Sequence, residues 1–190
     1  MRRTLIARLA AVAVAGTALL AAGGGAALAH GDHGGGPRHH NALSPRERAV
    51  VLHASKQFLR PAAAVAAGYV QVSECTEQPG VGGMGVHYLH PDLAADAVVD
   101  PRKPELLVYV PQRDGSLRLG AVEYFVADAD QDTTTDPDRP SLFGRYAFDG
   151  PMPGHEADMP VHYDLHVWLF KHNPAGQLSA WNPRVTCPAP

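Results

Sequence analysis

From Met159 to Phe170 apolar and polar residues alternate: Val161, Tyr163, Leu165, Val167 and Leu169 fall on one face of an extended chain, His162, Asp164 and His166 on the other. Period-two alternation predicts a β-strand. Two further runs, 105–110 and 117–127, flank Gln112 to Ser116, where Asp114-Gly115 is a tight-turn pair, so they read as a hairpin. Residues 143–148 read as another short strand, and 69–73 as the start of a strand or a lead-in to Cys75. The N-terminal part follows a different rhythm. Ser44-Pro45-Arg46-Glu47 has the form of a capping box with Pro at the first helical position, and predicts a helix to about Leu59. Pro61 kinks or restarts it, and Gly68 suits the end of a short second helix. The fold class expected is α+β, an N-terminal helical segment packed on a mainly antiparallel sheet, either curved or closed into a small barrel.

Before this pattern begins, Arg2, Arg3 and Arg8 precede an apolar run ending near Ala22, and Ala27-Leu28-Ala29 offers the small residues that a signal peptidase reads. Residues 1–29 are therefore expected to be a secretory signal. Residues 30–43 read as a flexible His- and Gly-rich leader, and 44–190 as one domain. Cleavage after Ala29 would leave His30 at the terminus, where its amine and imidazole form half of a copper-binding histidine brace, although the following glycines favour loose metal scavenging. No later segment approaches twenty apolar residues, so the exported chain is expected to be soluble, without stable membrane insertion.

The whole chain has 190 residues and a formal charge of −3. Removing residues 1–29 takes away three arginines and no acid, moving the charge to −6. An acidic surface argues against nucleic acid or anionic lipid as partner. The glycines at 80, 82, 83 and 85 lack the Lys-Ser/Thr or the helix of a phosphate loop, and no Gly-x-Ser-x-Gly nucleophile motif is present.

Eleven histidines bring the chemistry into view. Imidazole and carboxylate side chains together bind transition metals or move protons. At about 3.3 Å per residue, His162 and His166 are roughly 13 Å apart along a strand, too far to share one ion, whereas either lies within reach of Asp164. Asp164 is then a ligand, or accepts the second ring N–H of a ligating His. Further candidates are His87 and His90, beside Met84 in a glycine-rich run, and His155 in the loop leading to His162. The metal expected is zinc or copper; Met84 and Met159 tilt the choice toward copper, because thioether sulfur favours Cu(I). Glu123 shares an alternating face with Leu117, Leu119, Ala121 and Phe125, an apolar setting in which a carboxylate is either paired or part of a site. Glu123 and Glu156 are the candidate general bases. The same histidines also suit a metal-free polar network.

Cys75 and Cys187 lack CxxC spacing and read as one structural disulfide, worth on the order of 4 kcal/mol in the chain-entropy model, with a Cys–His metal site as the rival. The acidic run from Asp128 to Asp138 fails the EF-hand pattern, since Thr133 and Arg139 stand where Gly and Glu are needed, and reads as a solvated loop.

The phrases Gly83-Met-Gly-Val-His-Tyr88, Val122-Glu-Tyr124, Gly154-His-Glu156, His162-Tyr-Asp-Leu-His-Val-Trp168 and Lys171-His-Asn-Pro174 with Trp181-Asn-Pro183 resemble those of a group of functionally uncharacterised exported bacterial proteins. The resemblance spans roughly 44–188. It implies one exported domain and carries no activity. Two function classes remain open: an exported metal-binding domain, with or without catalysis, and a non-catalytic extracellular or envelope module. The partner is a metal ion or an unidentified small molecule.

Overall fold

The computed structural model describes residues 41–155 and 158–188. The expected signal, the leader as far as residue 40, and Glu156 lie outside the described residues.

Helix α1 (Pro45–Ser55) starts where the capping box placed it. Ser44 Oγ accepts from the Glu47 backbone N–H at 3.4 Å, and the Glu47 carboxylate accepts from the Ser44 N–H at 3.0 Å. The last turn of the expected helix tightens into a 3₁₀ turn at Lys56–Phe58. Helix α2 (Pro61–Ala66) begins on its proline and runs out before Gly68, whose φ of +97° suits a residue without Cβ. Then come β1 (Val70–Gln71), β2 (Thr76–Gln78), β3 (Gly82–Leu89), helix α3 (Pro91–Ala94), β4 (Leu106–Pro111), β5 (Leu117–Ala127), β6 (Ser141–Leu142), β7 (Tyr146–Ala147), β8 (Asp149–Met152) and β9 (His162–Trp168). Residues 143–148 are thus not one strand. Phe143 and Gly144 take φ of 55° and 69°, which turns the chain and makes β6 and β7 a small hairpin.

The main sheet runs β1-β3-β4-β5-β9-β8, all antiparallel, with β2 sharing the β3 edge with β1. It does not close into a barrel. On one face, Tyr109, Val122, Tyr163, Leu165 and Val167 pack with Val51 of α1 and Ala64 of α2 in the principal core. Tyr69, Tyr109 and Tyr124 are buried there, and each donates its hydroxyl to a backbone carbonyl at 2.8 Å, so burial leaves no orphan O–H.

The opposite face carries a smaller cluster of Val108, Val110, Ala121, Trp168 and Val185. Two features build it. The β4–β5 register pairs Tyr109 with Leu119 but Val108 with Ala121, so Gly120 is the extra residue of a bulge. The bulge reverses the alternation, so Leu119 enters the principal core while Ala121 and Glu123 face the other way. The face expected to unite Leu117, Leu119, Ala121 and Glu123 is therefore split, because strict alternation fails at a bulge. The C-terminal tail then crosses this second face. Asn182 bridges to Gly83, and a Cβ on Gly82 would run into the Asn182 carbonyl, so that close approach requires glycine. A disulfide joins Cys75, just ahead of β2, to Cys187 in the tail. Among the described residues, no helix is long and apolar enough to cross a membrane.

Candidate metal centre

Glu123 of β5 is the register partner of His166 of β9, while His87 of β3 is paired with Val108 of β4. One strand, β4, therefore lies between His87 and Glu123, a spacing of about 10 Å across the sheet. Their side chains close the gap. His87 Nε2 lies 3.5 Å from Glu123 Oε2, and His166 Nε2 lies 3.5 Å from the same oxygen. One ligand-capable atom from each of the three lies within 4.8 Å of the others, so the group can hold a metal ion.

The separations carry chemical meaning. A tetrahedral ion with donors at about 2.0–2.2 Å sets them about 3.4 Å apart, whereas an N–H···O hydrogen bond spans about 2.7–3.2 Å. The 3.5 Å spacings match the first geometry and overshoot the second. Glu123 Oε2, both ring nitrogens of His166 and His162 Nε2 are buried without a hydrogen-bond partner. Buried polar atoms are ordinarily paired, since each orphan costs about 1–3 kcal/mol. Four of the six such side-chain atoms among the described residues belong to this cluster and its neighbour His162; the others are His90 Nδ1 and Asp128 Oδ1.

Tautomers are set around the cluster. Ser73 stands where the chain leaves the β3 edge between β1 and β2, and its Oγ donates to the Glu74 carbonyl at 2.8 Å. That hydroxyl has no second proton to give. With the hydroxyl proton on the Glu74 carbonyl, the 2.9 Å contact between Ser73 Oγ and His87 Nδ1 is donated by the ring, the tautomer that leaves the Nε2 lone pair facing Glu123. The Ser73 hydroxyl also accepts the His87 backbone N–H at 3.1 Å. His162 follows the same logic, with its Nδ1 3.1 Å from the Pro160 carbonyl and its Nε2 facing Asp164 Oδ2 at 3.6 Å. The other Asp164 oxygen faces His166 Nδ1 at 3.8 Å.

Burial and mutual charge set the electrostatics of the cluster. Burial pushes the Glu123 carboxyl up, with Asp164 adding to the effect and His166 opposing it. Burial and the neighbouring His166 hold the His87 imidazole far below its ordinary value, so it stays neutral. Burial pulls His166 down, but Glu123 and Asp164 outweigh it and raise the net value. For Asp164, burial acts upward and is overcome by the imidazoles of His162 and His166, which hold the carboxyl well below the usual range. A divalent cation would take the place of the His166 proton, satisfying the Glu123 carboxylate and using the lone pair of the neutral His87.

A cavity of about 450 Å³ opens onto His87, Glu123 and Asp164. Its apolar wall comprises Val72, Met84, Leu106, Met152, Met159 and Trp181. The polar residues Ser73, Thr76, Asp149 and His155 complete it.

Of the histidines singled out from the sequence, His87 and His166 meet at one site, and Glu123 joins them in the group that could hold a metal ion. Asp164 lies next to them. The polar triplet of the alternating strand is buried: His162, Asp164 and His166 are 0%, 3% and 1% exposed. His162 sits apart from the three ligands, its ring stacked on Phe125 at 5.1 Å, with His155 edge-on to it at 5.2 Å. His90 is not brought to the cluster. It ends β3 as the residue capping α3, and its ring meets Tyr69 edge-on at 5.1 Å. Ser73 and Asp149 carried no sequence signal. Ser73 acts only through the edge of β3, and Asp149 only as the β8 register partner of Asp164. Comparison with family models, with curated proteins and with solved structures found no match.

Proposed function

We propose that this protein is an exported metal-binding domain that holds one zinc ion through His87 Nε2, His166 Nε2 and a carboxylate oxygen of Glu123, with the remaining coordination position facing the cavity. The observation that carries this reading is the convergence of His87 Nε2 and His166 Nε2 on one buried Glu123 oxygen, each at 3.5 Å and so close to a tetrahedral edge, with that oxygen and the His166 nitrogen otherwise unpartnered. Two imidazoles and one carboxylate with a fourth position open are the donor set of catalytic rather than structural zinc. An ion so placed acts as a Lewis acid on a molecule admitted by the cavity. The residues around it hold it in place: Ser73 sets the His87 tautomer, and Asp164 faces the far nitrogen of His166. The disulfide and the signal-like leader support an oxidising compartment.

Copper is the second reading, favoured by the three methionines of the cavity wall. A bare polar network suits the site less well, since its nitrogens stand too far from the carboxylates to be satisfied by them. Calorimetric titration of metal-free protein with zinc, and with Cu(I) under reducing conditions, tests the proposal. One zinc site is expected, weakened by more than about 100-fold in His87→Ala and in His166→Ala. Zinc binding unchanged in both variants would overturn it. Copper would prevail if Cu(I) bound more tightly and Met84→Leu/Met152→Leu/Met159→Leu removed that preference.

A further inference from the structure

The cavity above the metal ligands has a one-sided electrostatic character. Among the described residues, Glu123, Asp164 and Asp149 all line it, and neither lysine nor arginine does. Its other titratable residues are His87 and, exposed on the loop before β9, His155. A divalent ion bound to Glu123 would balance two of the three carboxylates. An incoming anion would thus meet no surplus positive charge, and it would give up hydration against an apolar wall without an ion-pair partner. The wall itself suits a hydrophobic body. Leu106 and Met84 are buried, Trp181 and Met152 half-buried, and methionine side chains adapt to varied shapes. A volume of about 450 Å³ falls within the range of small-molecule sites.

We infer that the cavity receives an uncharged small molecule with an apolar body and a single nitrogen or oxygen lone pair, which the metal ion engages, and that it discriminates against anions of the same shape. The engaging atom rests on the zinc reading; the preference for uncharged over anionic ligands rests on the carboxylates and the wall alone. Among the described residues, no guanidinium or ammonium lines the cavity to receive a carboxylate or phosphate, so acidic metabolites are the class it excludes.

The test uses zinc-loaded full-length protein and three probes: 4-phenylimidazole, uncharged at mildly alkaline pH; imidazole, which offers the same donor without the apolar body; and phenylacetate, which offers a similar body on an anion. Binding is read by calorimetry, with zinc content measured on the same samples. 4-Phenylimidazole is expected to bind at least ten-fold more tightly than either of the others. Met152→Lys, which places a cation on the wall without touching a ligand, is expected to narrow or reverse the gap to phenylacetate. Phenylacetate binding as tightly as 4-phenylimidazole in the unmodified protein would overturn the inference, as would imidazole matching 4-phenylimidazole or no probe binding at all. Should the protein take up no zinc, the zinc reading fails on the elemental result. The inference is then judged on metal-free protein by the same comparison of 4-phenylimidazole with phenylacetate, since the apolar wall and the carboxylates lining the cavity do not depend on the ion.

Discussion

At the residue scale the site depends on which ring nitrogen of each histidine is free. Ser73 commits its only proton to the Glu74 carbonyl and so obliges His87 to donate from Nδ1. Removing that hydroxyl lets the ring flip or change tautomer, while the three ligands remain in the chain. Ser73→Ala is therefore expected to weaken zinc binding by about 10- to 100-fold, the usual cost of losing a partner behind a ligating histidine, and competition with a colorimetric chelator measures it. An unchanged affinity would remove Ser73 from the account. Much of this site was visible beforehand. His162, Asp164 and His166 stood out because imidazoles and a carboxylate sat together on an alternating strand, and Glu123 because it occupied an apolar run. The grouping was not visible, since joining His87 to Glu123 and His166 depends on the pairing of β3, β4, β5 and β9 across 80 residues of sequence. Ser73 lies in a short irregular stretch where no periodicity points to a role.

Elements show where local chemistry decides and where it does not. The capping box of α1 reads directly from four residues, and the structure adds Arg145 and the Tyr146 hydroxyl to the Glu47 carboxylate, the hydroxyl at 2.7 Å. Ser44→Ala is expected to destabilise the fold by about 1 kcal/mol, measured by urea unfolding, through loss of the N-terminal cap. The β4–β5 hairpin was equally legible from Asp114-Gly115; Gly115 takes φ of +78°, and Gln112 donates its backbone N–H to the Ser116 carbonyl at 2.8 Å. The bulge at Gly120 was not, because a single glycine in a strand does not say which side the chain will favour afterwards. That one residue determines that Glu123 faces the site and not the principal core. The tail is a third case. Its two cysteines predicted the tether, but not that Trp181 and Val185 would cover the site face. Replacing both cysteines with serine frees a link across 112 residues, and is expected to cost about 4–5 kcal/mol in the chain-entropy model. A smaller loss in thermal unfolding, with zinc affinity unchanged, would show that packing alone holds the tail.

For the whole molecule, buried carboxylates set how stability varies with pH. Glu105 is 2% exposed and accepts the Phe125 backbone N–H at 3.1 Å. Burial pushes its carboxyl up from 4.5 to about 8, with the charges of Asp96 and Glu123 adding to the rise. Between those values the folded chain keeps a proton that the unfolded chain releases, so stability falls as pH rises from about 4.5 to about 8. Glu105→Gln retains an acceptor for Phe125 and is expected to flatten that slope in metal-free protein. Glu47 acts in the opposite sense. Burial pushes it up, but hydrogen bonds from Ser44, Tyr146 and Arg145 prevail and lower it to about 2. Its contribution is complete above about 4.5 and is lost as pH falls toward 2. Denaturant titrations across this range would contradict the account if Glu105→Gln kept the wild-type slope.

The α+β architecture was legible at this scale because helical and strand periodicities occupy separate stretches of chain. Burial of the histidine face was not, since the tail that crosses the site face is placed by its close approach to Gly82 and Gly83, which no periodicity announces.

The central claim is that a metal ion belongs among His87, Glu123 and His166. Crystals of zinc-loaded protein, measured on either side of the zinc absorption edge, test it most directly. The account predicts one anomalous peak about 2.0–2.2 Å from the Nε2 atoms of His87 and His166 and from a Glu123 oxygen. A peak centred instead on His155 and His162, or none above noise at those three residues, would contradict it.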